Sequence, residues 1–238
     1  MPAALIADVS TGSGLAALRS LARAGVPVLA LDHRPDAPGL DSRHALALRG
    51  PDPVDHAGFR AFLAELERAL DRPPVVIPTS GAYARALAGD AATSRLGDGA
   101  RVSAVAACLM EGGEPAAVFA AKRDGERGTW RASSLGDVVV EGALALLCER
   151  CSRGLAWVEL IADAEPVETG AYLWPGHALA LEQGVDLPRI AYWAALGARL
   201  PAPASTGAGA GRLDTLAVVS DPGPALAAVA RLLRGPRR

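Results

Sequence analysis

Ala4-Leu5-Ile6-Ala7-Asp8-Val9 is a short apolar run, and Ser10-Thr11-Gly12-Ser13-Gly14 turns from it directly into Leu15-Ala16-Ala17-Leu18-Arg19. A run of this length bounded by turn residues reads as a buried strand rather than a helix. Leu15, Leu18 and Leu21 then recur on one side with Arg19 and Arg23 on the other, the period of an amphipathic helix, with Gly25 placed to end it. A second apolar strand, 26–31, closes at Asp32. Strand, glycine turn, helix and strand make a βαβ unit, which calls for a parallel sheet covered on both faces.

The alternation continues downstream. Ala45-Leu46-Ala47-Leu48 is a third strand, and Phe59, Phe62, Leu63, Leu66 and Leu70 mark a helix whose outer side carries Arg60, Glu65, Glu67 and Arg68. Val75-Val76-Ile77-Pro78 is a fourth strand, and Tyr83 begins another helical stretch. The pattern breaks at Thr93-Ser94-Arg95-Leu96-Gly97-Asp98-Gly99. Beyond it, strand runs at 102–110 and 116–121 are joined across Glu111-Gly112-Gly113-Glu114-Pro115, a hairpin signal. A helix follows at about 136–151, then a second hairpin from 155–161 and 166–171, and short helices near 177–183 and 188–196. A small-residue loop at 201–211, a strand-like run at 213–219 and a helix at 224–233 complete the chain. The expected fold class is α/β: a Rossmann-like parallel sheet in 1–95, then an α+β half with antiparallel hairpins in 96–238.

With 238 residues and half of them hydrophobic, the chain is long and apolar enough for a sizeable core and too apolar for disorder. A formal charge of −2 leaves no electrostatic footprint for nucleic acid or an anionic membrane surface. No run approaches the roughly 18 apolar residues that span a bilayer. The first residues lack the basic start of a signal peptide, so a cytoplasmic, reduced protein is expected. Three cysteines do not make a disulfide framework. Cys148 and Cys151 form a C-x-x-C, but at the end of a helical pattern, away from the N-terminal dipole that lowers a thiol pKa, and no second ligand pair stands near it in sequence. Ordinary helix residues are the expectation there.

Gly12-x-Gly14-x-x-Ala17 after a strand, with Asp32 ending the next, matches a dinucleotide-binding fingerprint: the glycines admit a pyrophosphate and the acid takes a ribose hydroxyl. Any βαβ unit also needs a tight turn at that place, so an NAD(P)-binding Rossmann protein is one reading among others. Glu159 and Glu168 are a second constellation. A hairpin centred between Asp163 and Ala164 pairs 159 with 168, which sets two carboxylates opposite each other on one face. Like charges so placed are destabilising, and call for a divalent cation or an arginine to offset them. A register shifted by one residue would separate the pair instead.

Several stretches resemble the ATP-grasp carboxylate–amine ligases. Thr11-Gly12-Ser13-Gly14-Leu15, Leu31-Asp32-His33-Arg34-Pro35-Asp36-Ala37-Pro38-Gly39, Ser42-Arg43, Gly50-Pro51-Asp52-Pro53 and Ile77-Pro78-Thr79-Ser80 look like that family's pre-ATP-grasp domain. Glu114-Pro115-Ala116-Ala117-Val118-Phe119 with Lys122-Arg123 resembles the strand before its basic segment, and Gly154-Leu155-Ala156-Trp157-Val158-Glu159 the strand bearing its first metal-binding glutamate. Gly184-Val185-Asp186-Leu187-Pro188 with Ala191-Tyr192 and Leu196-Gly197 resembles its closing helices. The resemblance implies ATP and Mg²⁺ as cofactors, Gly12, Gly14, Lys122 and Arg123 toward the nucleotide, and Glu159 and Glu168 on the metal. It implies activation of a small-molecule carboxylate or amino acid by ATP, with an amine displacing the phosphate.

The departures from that pattern point away from catalysis, and no catalytic residue is singled out. Where the family follows its second glutamate with asparagine and then arginine, this chain has Gly170 and Tyr172. Thr79-Ser80-Gly81 stands where an acid is usual. The central ATP-binding subdomain is much reduced, and Lys122, the chain's single lysine, cannot replace its phosphate-holding lysines. The expectation is therefore a shortened, degenerate relative with a binding or partner role, as a homo-oligomer or with another protein. The alternative is a working Mg-ATP-dependent ligase completed by a second chain.

Overall fold

The structure, a computed structural model, describes residues 1–88, 93–95, 104–123, 130–133, 137–151, 153–160, 166–182 and 184–198. The strand and helix expected at 213–219 and 224–233, and the loop at 201–211, lie outside the described residues. Two compact units divide the described chain, one within Met1–Leu87 and one within Ala88–Leu213.

In the first unit β1 (Ala4–Ala7), β2 (Val28–Asp32), β3 (Leu46–Arg49) and β4 (Val75–Pro78) form one sheet in the order β3-β2-β1-β4. Every pairing is parallel, with Leu5 opposite both Leu29 and Val76. Helices α1 (Gly12–Arg23), α2 (His56–Ala69) and α3 (Gly81–Ala88) make the crossovers, and a short 3-10 helix, Pro38–Asp41, precedes β3. Leu5, Leu29 and Leu31 pack with Phe59 of α2 and with Tyr83 and Ala86 of α3, which leaves the Ile6 and Ala30 face to α1. β1 and β2 are buried along their whole length, the continuous apolar signature of a sheet covered on both sides. Local signals start and stop the helices as read from sequence. The Thr11 hydroxyl accepts from the Gly14 amide at 3.0 Å, the Asp55 carboxylate caps α2, and Gly25 ends α1 at φ +75°.

The second unit is a six-stranded antiparallel sheet in the order β5-β10-β9-β6-β7-β8. Its strands are β5 (Thr93–Arg95), β6 (Ala104–Glu111), β7 (Glu114–Arg123), β8 (Trp130–Ala132), β9 (Gly154–Leu160) and β10 (Pro166–Gly170). Gly112 and Gly113, at φ +63° and +87°, turn β6 into β7; two positive φ values define the hairpin turn whose twist matches its strands. Helix α4 (Val138–Arg150) packs Ala143 and Leu147 onto Ala106, Cys108, Met110, Val118, Ala156, Val158 and Leu160. Helices α5 (His177–Glu182) and α6 (Leu187–Ala195) follow β10. Both expected hairpins are present. The edge strands β5 and β8 fall in stretches read from sequence as irregular, because three polar-containing residues carry no alternation to detect and form only through backbone pairing.

Candidate functional site

The expected carboxylate pairing is in the backbone: Glu168 stands directly opposite Glu159. An irregularity between Pro166 and Glu168 sets Pro166, not Val167, against Leu160, so one extra residue is absorbed at the bulge without moving the glutamates out of register. Arg95 of β5 is in turn opposite Glu168, and Val105 of β6 is opposite Glu159. Directly paired residues share a face, so Arg95, Glu168, Glu159, Val105 and Ala121 form one cross-strand row. Glu159 is half-buried and accepts a hydrogen bond from the Trp174 indole at 3.1 Å.

The next row on the same face is aromatic. It runs Phe119, Ala107, Trp157, Gly170 and Thr93 across β7, β6, β9, β10 and β5. Trp157 is 1% exposed and stands edge-on to Tyr172 at a ring separation of 5.3 Å, while Phe119 stacks with Trp174 at 5.8 Å. A β-carbon added at Gly170 would lie 2.5 Å from the Trp157 indole nitrogen and 2.6 Å from a Tyr172 ring carbon. The two departures noted in the sequence, at 170 and 172, are thus one packing unit: the glycine makes room for the rings, and the tyrosine is one of them. Trp157 and Trp174 are core residues of this face. His177, at the start of α5, is fully buried beside them, with Nδ1 3.0 Å from the Trp174 carbonyl oxygen. Burial pushes its imidazole down to about 4, against the opposing pull of that carbonyl.

Lys122 and Arg123 end β7. Successive strand residues point to opposite faces. Lys122 pairs with Ala104, which in turn pairs with Leu160 of the α4-covered core. The Lys122 ammonium forms an ion pair with Asp137, the residue that caps α4 by accepting from the Val139 amide at 3.0 Å. That ammonium, the first cause, holds the Asp137 carboxyl below its ordinary value. Arg123 is the last residue of β7 and the register partner of Trp130.

In the first unit the two glycines of the turn also differ. A β-carbon at Gly14 would fall 2.1 Å from the Asp8 carbonyl oxygen and 2.9 Å from the Val9 α-carbon, whereas one at Gly12 meets nothing within 4 Å. Gly14 is a close approach of helix to strand, and only Gly12 presents open backbone. Asp8, left-handed at φ +81°, accepts from the Arg34 guanidinium at 3.0 Å, and Asp32 accepts from the same guanidinium at 3.2 Å and from the Arg34 amide at 3.0 Å. Asp32 is fully buried, with Oδ1 turned to Arg34. The Thr79 hydroxyl, which stands where the resemblance implies an acid, donates to the carbonyls of Ala7 and Asp8 at 3.0 and 2.6 Å. It ties the end of β4 to the end of β1.

The remaining candidates are plain. Cys148 is exposed on the last turn of α4 and Cys151 caps that helix. Burial pushes the Cys108 thiol up to about 12, so it is inert. No group of three or more His, Cys, Asp and Glu side chains able to hold a metal occurs among the described residues. Glu159 is engaged by the Trp174 indole, and the positions implied to hold asparagine and arginine are Gly170, which the Trp157 and Tyr172 rings crowd, and Tyr172 itself.

No protein-family model matches the sequence, and a search of curated proteins finds no match. Solved structures do match. The ATPase subunit of phosphoribosylaminoimidazole carboxylase from Aquifex aeolicus aligns over 87% of this chain and 80% of its own, at TM-score 0.56 and 9% identity. N5-carboxyaminoimidazole ribonucleotide synthetase from Thermus thermophilus aligns over 86% and 81%, at 0.51 and 11%. The Staphylococcus aureus N5-carboxyaminoimidazole synthetase aligns over 84% and 78%, at 0.51 and 10%. Identities this low speak for architecture alone. The chain has an ATP-grasp-like fold, as the sequence resemblance implied.

Proposed function

We propose that this chain is a non-catalytic ATP-grasp-like protein, built from an N-terminal half of about 1–95 and a reduced C-terminal half, that acts by binding or partner association. The observation that carries the reading is the closure over Gly170: Trp157 and Tyr172 occupy the space that an asparagine there would need. Lys122, the chain's only lysine, adds to it by pairing with Asp137 on the face away from Glu159. Phosphoryl transfer is almost entirely positioned cations and metal, and the chain's one lysine is engaged with the residue that caps α4. Support for a partner comes from β3, the edge strand of its sheet among the described residues, whose Leu46 is 65% exposed; an apolar edge strand is a template for association.

The test is Mg-ATP and NADH thermal scanning of the whole chain beside an amino-acid-dependent ADP-release assay and light scattering. The expected outcome is no ADP release, no upshift with either nucleotide, and a species larger than a monomer. An Mg-ATP upshift abolished by Glu159→Gln or Glu168→Gln would overturn the non-catalytic reading. A monomer at high concentration would remove the association.

A further inference from the structure

Among the described residues the parallel sheet ends in β3 on one side and β4 on the other, and the two edges are finished differently. The Val75 and Thr79 amides donate inward, to the carbonyls of Ala3 and Ala7 at 2.8 and 3.0 Å. Peptide groups alternate sides along a strand, so positions 74, 76 and 78 turn theirs outward. Two of those three are Pro74 and Pro78, which have no N–H to offer; prolines placed this way blunt an edge against further pairing. β3 carries no such protection. The Gly50 amide donates inward to the Asp32 carbonyl at 3.1 Å, which leaves the amides and carbonyls of Ala47 and Arg49 facing outward. Leu46 and Leu48 share the other parity, on the face where Leu48 packs against the cluster of Leu29, Leu31 and Phe59; Leu46 and Ala47 are exposed.

We propose that β3 pairs antiparallel with β3 of a second copy of this chain about a two-fold axis, joining the two parallel sheets edge to edge. The outward groups set the register. Ala47 and Arg49 of both copies are all used when Ala47 of one faces Arg49 of the other, which puts Leu48 on the axis opposite its own counterpart. Leu46 then lies opposite Gly50 and diagonal to Leu48 of the second copy, so the apolar cluster under each sheet runs on across the axis. No like charges face each other, since each Arg49 meets an alanine. This self-match is what favours a second copy over an unrelated strand. The inference rests on the association proposed above and names its surface.

The experiment follows the oligomeric state of the whole chain by sedimentation equilibrium over a range of concentrations, with amide hydrogen exchange read residue by residue. The expected result is a dimer that dissociates on dilution, with the Ala47 and Arg49 amides exchanging slowly in the dimer and fast in the monomer. Ala47→Pro gives β3 the finish that β4 already has, and because the lost N–H points outward it leaves the sheet's own bonds in place. It should weaken association at least about tenfold, one hydrogen bond being lost from each copy, with the far-UV circular dichroism unchanged. Leu46→Arg should weaken it as well, and carries the test should the proline variant not fold. A monomer whose Ala47 and Arg49 amides exchange slowly would overturn the proposal in favour of a strand of the same chain, such as 213–219. A monomer in which both exchange fast would overturn it in favour of another protein. A dimer that survives both β3 variants would also overturn it, while the association proposed above would stand. ADP release would remove the non-catalytic reading and leave the β3 dimer untouched.

Discussion

In the parallel unit the signature glycine acts through close backbone packing, whereas in the antiparallel unit Glu159 acts through its side chain, accepting from the Trp174 indole. Gly14 sits where any β-carbon would strike the end of β1, and Asp32, the acid of the dinucleotide fingerprint, is buried against Arg34. The motif there describes how a helix meets a strand. In the antiparallel sheet, Glu159 and Glu168 keep their register while their surroundings are rebuilt with Trp157, Tyr172 and Trp174. A βαβ turn uses a glycine where helix and strand approach closely, so its presence says little about a ligand. A pair of facing carboxylates does nothing for the fold by itself, so it says more about a site than the glycine does.

The contrast is most exposed at Trp157. Trp157→Ala should cost about 3–5 kcal/mol in chemical denaturation, as large-to-small core changes do, while Gly170→Asn should cost about 1–3 kcal/mol by overpacking. Combined, they should cost clearly less than their sum, since the truncated ring vacates the space the asparagine needs. Simple additivity would mean that the two positions do not share a packing unit.

His177 supplies a pH dependence belonging to the second unit. Its folded imidazole titrates at about 4 and its unfolded one near about 6.5. Between those values the unfolded state binds the extra proton, so stability is constant above the window and falls as pH drops through it, by up to about 3 kcal/mol. Denaturation midpoints measured from pH 7 to 4 should show this slope, and His177→Gln should flatten it. Hydrogen exchange should show the acid-induced loosening at α5 before the strands of the first unit; loosening that begins in β1 would blur the distinction between the units.

The smallest effects divide the two glycines. Gly14→Ala should destabilise by about 1–3 kcal/mol, because the obstructing atoms are backbone. Gly12→Ala should change stability by less than about 1 kcal/mol, in the favourable direction expected of alanine in a helix. Equal losses at both positions would restore a shared role for the pair.

Much of this was legible in the chain of residues. Strand–helix alternation in the first ninety positions reports the covered parallel sheet because burial on both faces leaves continuous apolar runs such as Ala4 to Ala7. The opposition of Glu159 and Glu168 follows from the centre of the hairpin alone, a local property, although the bulge at Val167 leaves no mark in the sequence. What sequence could not show was contact between positions remote along the chain. Arg95 belongs to a stretch with no alternation, and it joins Glu168 only through the pairing of β5 with β10. The closure over Gly170 by Trp157 and Tyr172 is likewise invisible until two strands and the turn after them are packed.

Local periodicity, turn chemistry and hairpin arithmetic therefore determined the two-unit plan and placed the acids in one row, since each depends on residues a few positions apart. Which strands and rings neighbour that row was decided by tertiary pairing, because packing depends on distance in space and not on separation along the chain.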